Sequence, residues 1–174
     1  ILLKHAEICA GSALASQKLL DDAGVPKGVY TNLFATHDQV ADIIADNRVH
    51  GVSLTGSERA GEIVAAHAGK NLKKSVLELG GNDPYIILDT DNVAEAAAQA
   101  WWTRMSNTGQ SCTSNKRLIV HEDIYEEFVE ELVKLASQMT PGTPDDRDAA
   151  KYCPLSSREA AERLAKQIEK ASSN

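Results

Sequence analysis

Three short segments carry side chains whose types and spacing can do chemistry. The first is Asn107-Thr108-Gly109-Gln110-Ser111-Cys112, a small polar stretch that ends in a lone thiol. A free cysteine has a pKa of about 8.5, so only a few per cent is thiolate at neutral pH. A turn bent at Gly109, with backbone N–H groups aimed at the sulfur, favours the thiolate, and the N–H of Cys112 can stabilise an oxyanion. The competing reading is a buried structural thiol, the commoner role of an isolated cysteine. It is retained for Cys9, in a helical pattern, and for Cys153, beside Pro154. The second segment, Val76 to Pro84, places Glu78 at the end of an apolar strand. A carboxylate buried there is costly unless it is paired or works as an acid or base, and burial suits a general base near neutral pH. The plainer reading is a glutamate on an exposed strand edge, and spacing alone favours it. The third segment is Thr55-Gly56-Ser57, between a strand and a helix, with Gly61 five residues past Gly56. A helix N-terminus offers free amides and partial positive charge to an anion. Gly56 permits close approach, Ser57 can cap the helix or bond a phosphate oxygen, and Gly61 lets the helix pack tightly. The spacing is not G-x-G-x-x-G, and a capped helix is the commoner meaning of such a triplet.

An alternation of short strands and helices must position these groups. Apolar spacing predicts strands at 1–3 (buried), 28–34, 49–54, 74–80, 85–88 and 117–122. It predicts helices over 8–23, with Ile8, Leu14, Leu19 and Leu20 apolar and Gly24 and Pro26 closing it, and over 37–46, with Val40, Ile43 and Ile44 on one face. Further helices run from Ser57 to about Ala68, from Asp91 to the two tryptophans, over 123–138 with Ile124, Phe128, Leu132 and Leu135 inward, and over 156–171 capped by Ser156 or Ser157. Residues 140–148 read as a loop by their Pro, Gly and Asp content. This order implies an α/β fold with a largely parallel sheet.

The 174 residues carry a net charge of −7 and are 43% hydrophobic. That balance argues against a nucleic-acid partner, because no basic stripe is present to neutralise phosphates. No apolar run approaches the roughly 20 residues needed to span a bilayer, and no signal-peptide pattern is visible. Three widely spaced cysteines, an odd number, fit free thiols in a reducing cytoplasm. The five histidines show no metal-ligand spacing. The chain starts within an apolar strand without an initiator methionine and ends just after a helical pattern, which reads as an internal fragment.

None of the three segments decides the matter alone, but their order does. Lys4-His5-Ala6-Glu7, Leu54 to Gly61, Leu77 to Pro84 and Asn107 to Arg117, in that succession, resemble the aldehyde dehydrogenase superfamily over essentially the whole chain. The first and third are most similar to the succinate-semialdehyde dehydrogenase-like branch. The resemblance implies parts of that family's fold: the C-terminal part of an NAD(P)-binding, Rossmann-like domain over 1–79 and the N-terminal part of an α/β catalytic domain over 80–174. It implies that the Cys112 thiolate attacks an aldehyde, that hydride leaves to a nicotinamide, and that Glu78 activates water to hydrolyse the resulting thioester. Lys4 and Glu7 match positions that hold the adenosine ribose hydroxyls. Thr55, Gly56, Ser57 and Gly61 match the pyrophosphate-side turn, and Leu79 and Gly80 the nicotinamide lining. Glu7 accepts from both ribose hydroxyls and repels a 2′-phosphate, so the expected cofactor is NAD, with NADP as the alternative. A small aldehyde substrate and a homo-oligomeric full-length protein follow from the same resemblance, beside the cytoplasmic location and the lack of a membrane span or metal expected from the composition.

Two departures bear on that expectation. The family's oxyanion-hole asparagine lies upstream of this chain. The branch's arginine before the motif asparagine is replaced by Ser106, with Arg104 nearby, so a second substrate carboxylate has no evident partner. The alternatives are a catalytically incomplete fragment that keeps site residues without turnover, and a CoA-dependent acylating relative, against which Glu78 argues. A thiol hydrolase would need a histidine beside Cys112, and none lies in a comparable motif.

Overall fold

The computed structural model describes residues 1–143, 145–146, 148 and 150–173. The chain divides into two compact units, Ile1–Glu78 and Leu79–Asn174. Among the described residues the strands pair only in parallel, two by two. Parallel neighbours need a long connection between them, and a helix supplies it.

In the first unit, β1 (Leu2–Lys4) and β2 (Thr31–Leu33) are joined through α1 (Ala10–Asp22), and Lys4 pairs with Leu33. β3 (Gly51–Thr55) and β4 (Lys74–Glu78) are joined through α3 (Glu58–Lys70). Between the two pairs in sequence lies α2 (His37–Ala45), started by a capping box in which Thr36 and Gln39 satisfy each other's backbone amides. The strand at 1–3 is not buried as expected: Ile1, Leu2 and Leu3 are exposed. Among the described residues β1 pairs on one edge, with β2, and it helps to line an open apolar cleft of about 880 Å³ with α2 and β3. In α1 the buried residue is Ala13, whereas Leu14 and Leu19 are exposed, as are Ile8 and Cys9 in the 3-10 turn Glu7–Cys9 before it. The apolar spacing there marks a face that nothing in this unit covers, so the buried-thiol reading of Cys9 fails.

In the second unit, β5 (Asp83–Ile87) and β6 (Asn115–Val120) flank α4 (Val93–Met105), and α5 (Glu122–Ser137) follows β6. The ladder shifts register between Asp83 and Pro84, where proline has no N–H to donate. Ile87, Val93, Ala97, Ala100 and Phe128 form the core, with Tyr85, Leu118, Ile124 and Leu132 packed on it. Two alanines on the facing side of α4 leave room for the ring of Phe128, the largest fully buried side chain. The cap of α4 is Asn92, whose side chain accepts from the Glu95 amide, one residue later than the expected Asp91 start. Within the expected loop at 140–148, Pro144 and Arg147 lie outside the described residues, and β7 (Thr140–Pro141) pairs with β8 (Lys151–Tyr152). Ser157 caps the closing helix α6 (Arg158–Ser172) by accepting from the Ala160 amide. No helix among the described residues is long and apolar enough to cross a membrane.

Candidate active site

In the first unit the register of β3 against β4 sets Thr55 opposite Glu78. The ladder runs one bond further, with the Gly56 N–H donating to the Glu78 carbonyl at 3.0 Å. The Gly–Ser bend and the backbone of Glu78 are thus adjacent at the C-terminal ends of two parallel strands, where open α/β sheets take their ligands. Ser57 spends its hydroxyl on the helix, accepting from the Ala60 amide at 3.3 Å. Gly61 is buried on α3. Glu78 is exposed, as the plainer reading had it. In β4 only Leu77 is even half-buried, so the expectation of a carboxylate strained by desolvation does not hold within this unit.

At the C-terminal ends of β1 and β2 lies a second, smaller cleft of about 230 Å³. Lys4 and Glu7 both line it, one a cation and the other a carboxylate, against Leu33, Phe34 and Ala35 with Thr36 at its edge. A cation and a carboxylate here stand beside an apolar wall. Leu33, Phe34 and Thr36 were not singled out from sequence, because nothing in their local pattern reports that β2 ends beside β1.

In the second unit Cys112 is exposed, so the buried-thiol reading fails here too. Its segment leaves α4 through three successive left-handed residues: Asn107 (φ 51°), Thr108 (φ 57°) and Gly109 (φ 71°). Such backbone costs a non-glycine residue about 1–2 kcal/mol, and a β-branched threonine is a rare occupant. Strain of this kind persists only where the surroundings over-determine it. Here Asn107 Nδ2 donates to the Gln110 carbonyl at 3.2 Å, and the Gln110 N–H to the Asn107 carbonyl at 3.1 Å. The Lys116 ammonium donates to the carbonyls of Ser111, Cys112 and Ser114 at 3.0, 3.3 and 3.2 Å. The expected aim of backbone amides at the sulfur is not found. Among the described residues these bonds end on oxygen, the amides of Gln110 and Ser114 being turned inward to the carbonyls of Asn107 and Ser111. The Cys112 N–H has no acceptor among the described residues, which leaves it free to meet an oxyanion.

Gly81 backs directly onto this segment. A Cβ built there would lie 2.6 Å from the Cys112 carbonyl oxygen. Sequence reasoning picked out Gly80 and passed over Gly81, although the paired glycines were a signal for a close approach. Leu79 is half-buried and Gly80 exposed, and neither is seen to hold another site residue. Ser114 and Asn115, buried polar residues, anchor the far end: Asn115 Nδ2 donates to the Ala100 carbonyl of α4 at 3.2 Å.

A model of the aldehyde dehydrogenase family matches residues 1–174. The chain is 50% identical over 171 residues to a succinate-semialdehyde dehydrogenase [NADP(+)] from Deinococcus radiodurans, covering 98% of this chain and 36% of that protein. It is 41% identical over 169 residues to succinate semialdehyde dehydrogenase [NAD(P)+] Sad of Escherichia coli, covering 97% and 36%. A crystal structure of succinic semialdehyde dehydrogenase from Streptococcus pyogenes in complex with NADP+ superposes with a TM-score of 0.88 at 46% identity, covering 97% of this chain and 37% of that one. The chain therefore spans little more than a third of the length of these relatives. Its α/β units are parts of the same fold, and the chain belongs to the aldehyde dehydrogenase family.

Proposed function

We propose that the protein oxidises an aldehyde to a carboxylic acid with NAD(P)+, with Cys112 as nucleophile and Glu78 as the base that activates water. The observation that carries this reading is the exposed thiol on a strained, heavily braced turn, in a chain that the family model matches throughout. The Cys112 sulfur adds to the aldehyde carbonyl, and its own N–H meets the oxygen as charge develops there. When bound, the nicotinamide supplies the two-electron acceptor that converts this adduct to a thioester. Glu78 then takes a proton from water as the water attacks the thioester, which frees the acid and the thiol. Lys4 and Glu7 would hold the adenosine ribose, and the bend Thr55-Gly56-Ser57, with Gly61 behind it, the pyrophosphate. Leu79 and Gly80 would line the nicotinamide. In this reading 1–79 belongs to the cofactor domain and 80–174 to the catalytic domain.

On the finer points, Glu7 favours NAD by repelling a 2′-phosphate, while the relatives are named for NADP(+) or for NAD(P)+. We retain NAD. Comparing kcat/KM for the two cofactors in the full-length protein and in Glu7→Ser decides it, since preference for NADP in the parent overturns the assignment. Succinate semialdehyde is the proposed substrate, supported by the names of the relatives. The reading as a whole is tested with Cys112→Ser and Glu78→Gln in the full-length protein. The first should abolish cofactor reduction. The second should give one rapid turnover and then stall as acyl-enzyme. Steady turnover in Cys112→Ser refutes the mechanism.

A further inference from the structure

We propose that Arg104 is a positioning residue for Cys112, an inference that rests on the nucleophile reading above. Its guanidinium Nη1 donates to the Gly109 carbonyl at 3.1 Å and to Ser114 Oγ at 3.0 Å. Ser114 Oγ returns a bond to the Arg104 carbonyl at 3.2 Å. One side chain therefore ties the last turn of α4 to both ends of the segment that carries the thiol. Gly109 lies within the left-handed bend, and Ser114 is buried two residues past Cys112. The fit is close: a Cβ on Gly109 would stand 2.6 Å from Arg104 Nη1 and 2.9 Å from its Cζ. Glycine at 109 thus serves two ends, the positive φ and the seat of the guanidinium. Because Nη1 is spent on both ends of the turn, the half-buried side chain braces the segment that carries the nucleophile. Both bonds leave the one nitrogen Nη1, and the rigid guanidinium plane fixes where that nitrogen stands, which the flexible stem of a lysine would not.

The test uses the full-length protein with Arg104→Met and Arg104→Lys. It compares a charged semialdehyde with an uncharged aldehyde of similar length, and follows alkylation of Cys112 by iodoacetamide. A displacement of the sulfur by a fraction of an ångström to one ångström should lower kcat by about 10- to 100-fold in Arg104→Met. The loss should be equal for both aldehydes, with KM and cofactor affinity unchanged and alkylation slowed. Millimolar methylguanidinium should restore part of kcat in Arg104→Met, which a general folding defect would not allow. A rise in KM confined to the charged aldehyde would overturn the proposal in favour of carboxylate binding. Unchanged kcat and alkylation in Arg104→Met, beside an inactive Cys112→Ser, would overturn it while leaving the nucleophile reading intact. Turnover in Cys112→Ser would remove both.

Discussion

Replacing Gly81 by alanine adds one methyl group at the back of the candidate nucleophile. The new Cβ would lie 2.6 Å from the Cys112 carbonyl oxygen, 0.8 Å short of ordinary contact at 3.4 Å, and 3.1 Å from Asp83 Oδ1. The aspartate end of that pair can swing away. The carbonyl is backbone, and Lys116 holds it together with the carbonyls of Ser111 and Ser114. Gly81 has no left-handed φ, so the substitution is steric in origin and free of backbone strain. Overpacking of this size costs about 1–3 kcal/mol of stability. Its catalytic effect is larger, since a misplacement near 1 Å costs on the order of 10²-fold in rate. Full-length Gly81→Ala should therefore melt a few degrees lower, lose about 30- to 100-fold in kcat, and alkylate more slowly at Cys112. Cofactor affinity should stay at the parent value. A kcat within twofold of the parent, with unchanged alkylation, would show that the contact does not place the sulfur, and the argument from Gly81 would fall.

Gly56→Ala makes a useful contrast. There a Cβ would meet nothing closer than 3.7 Å, so the melting temperature should hold while dinucleotide affinity, read by fluorescence titration, falls severalfold. Unaltered affinity would remove the bend from the cofactor site. Phe128→Ala empties the largest buried position of the second unit and should cost about 3–5 kcal/mol in chemical denaturation. The Asp146 carboxylate is held below its ordinary value by the backbone N–H and hydroxyl of Thr143. Its pKa is depressed in the folded chain, so its small contribution is present above the ordinary carboxylate range and lost as pH falls through the lowered value. A carboxyl NMR titration should place the Asp146 midpoint below 3.8, and Thr143→Ala should move it upward, though only in part, since the Thr143 N–H remains.

Much of this chain could be read along its length. The helix starts at Ser57 and Ser157 follow from hydroxyl residues placed to accept an amide three positions on. The inward stripe of Ile124, Phe128 and Leu132 follows from helical period. Both depend on neighbours within a turn or two. What misled was apolar character without a partner. Ile1 to Leu3 and Leu14 and Leu19 look like core and lie exposed, because burial depends on what covers a face, which no local pattern states. Glu78 is exposed, as its spacing alone suggested.

Residue types and order alone determined the family, the α/β alternation and the thiol and carboxylate worth testing. The tertiary structure decided that Thr55 stands opposite Glu78, that Lys4 and Glu7 share a cleft with Phe34, that Gly81 abuts the Cys112 carbonyl, and that the Arg104 guanidinium sits over Gly109. Most of these relations join residues more than 20 positions apart, and even the last turns on a side chain reaching across a left-handed bend. Strand register and close backbone approach are set by packing in three dimensions, to which propensity and spacing along the chain are blind.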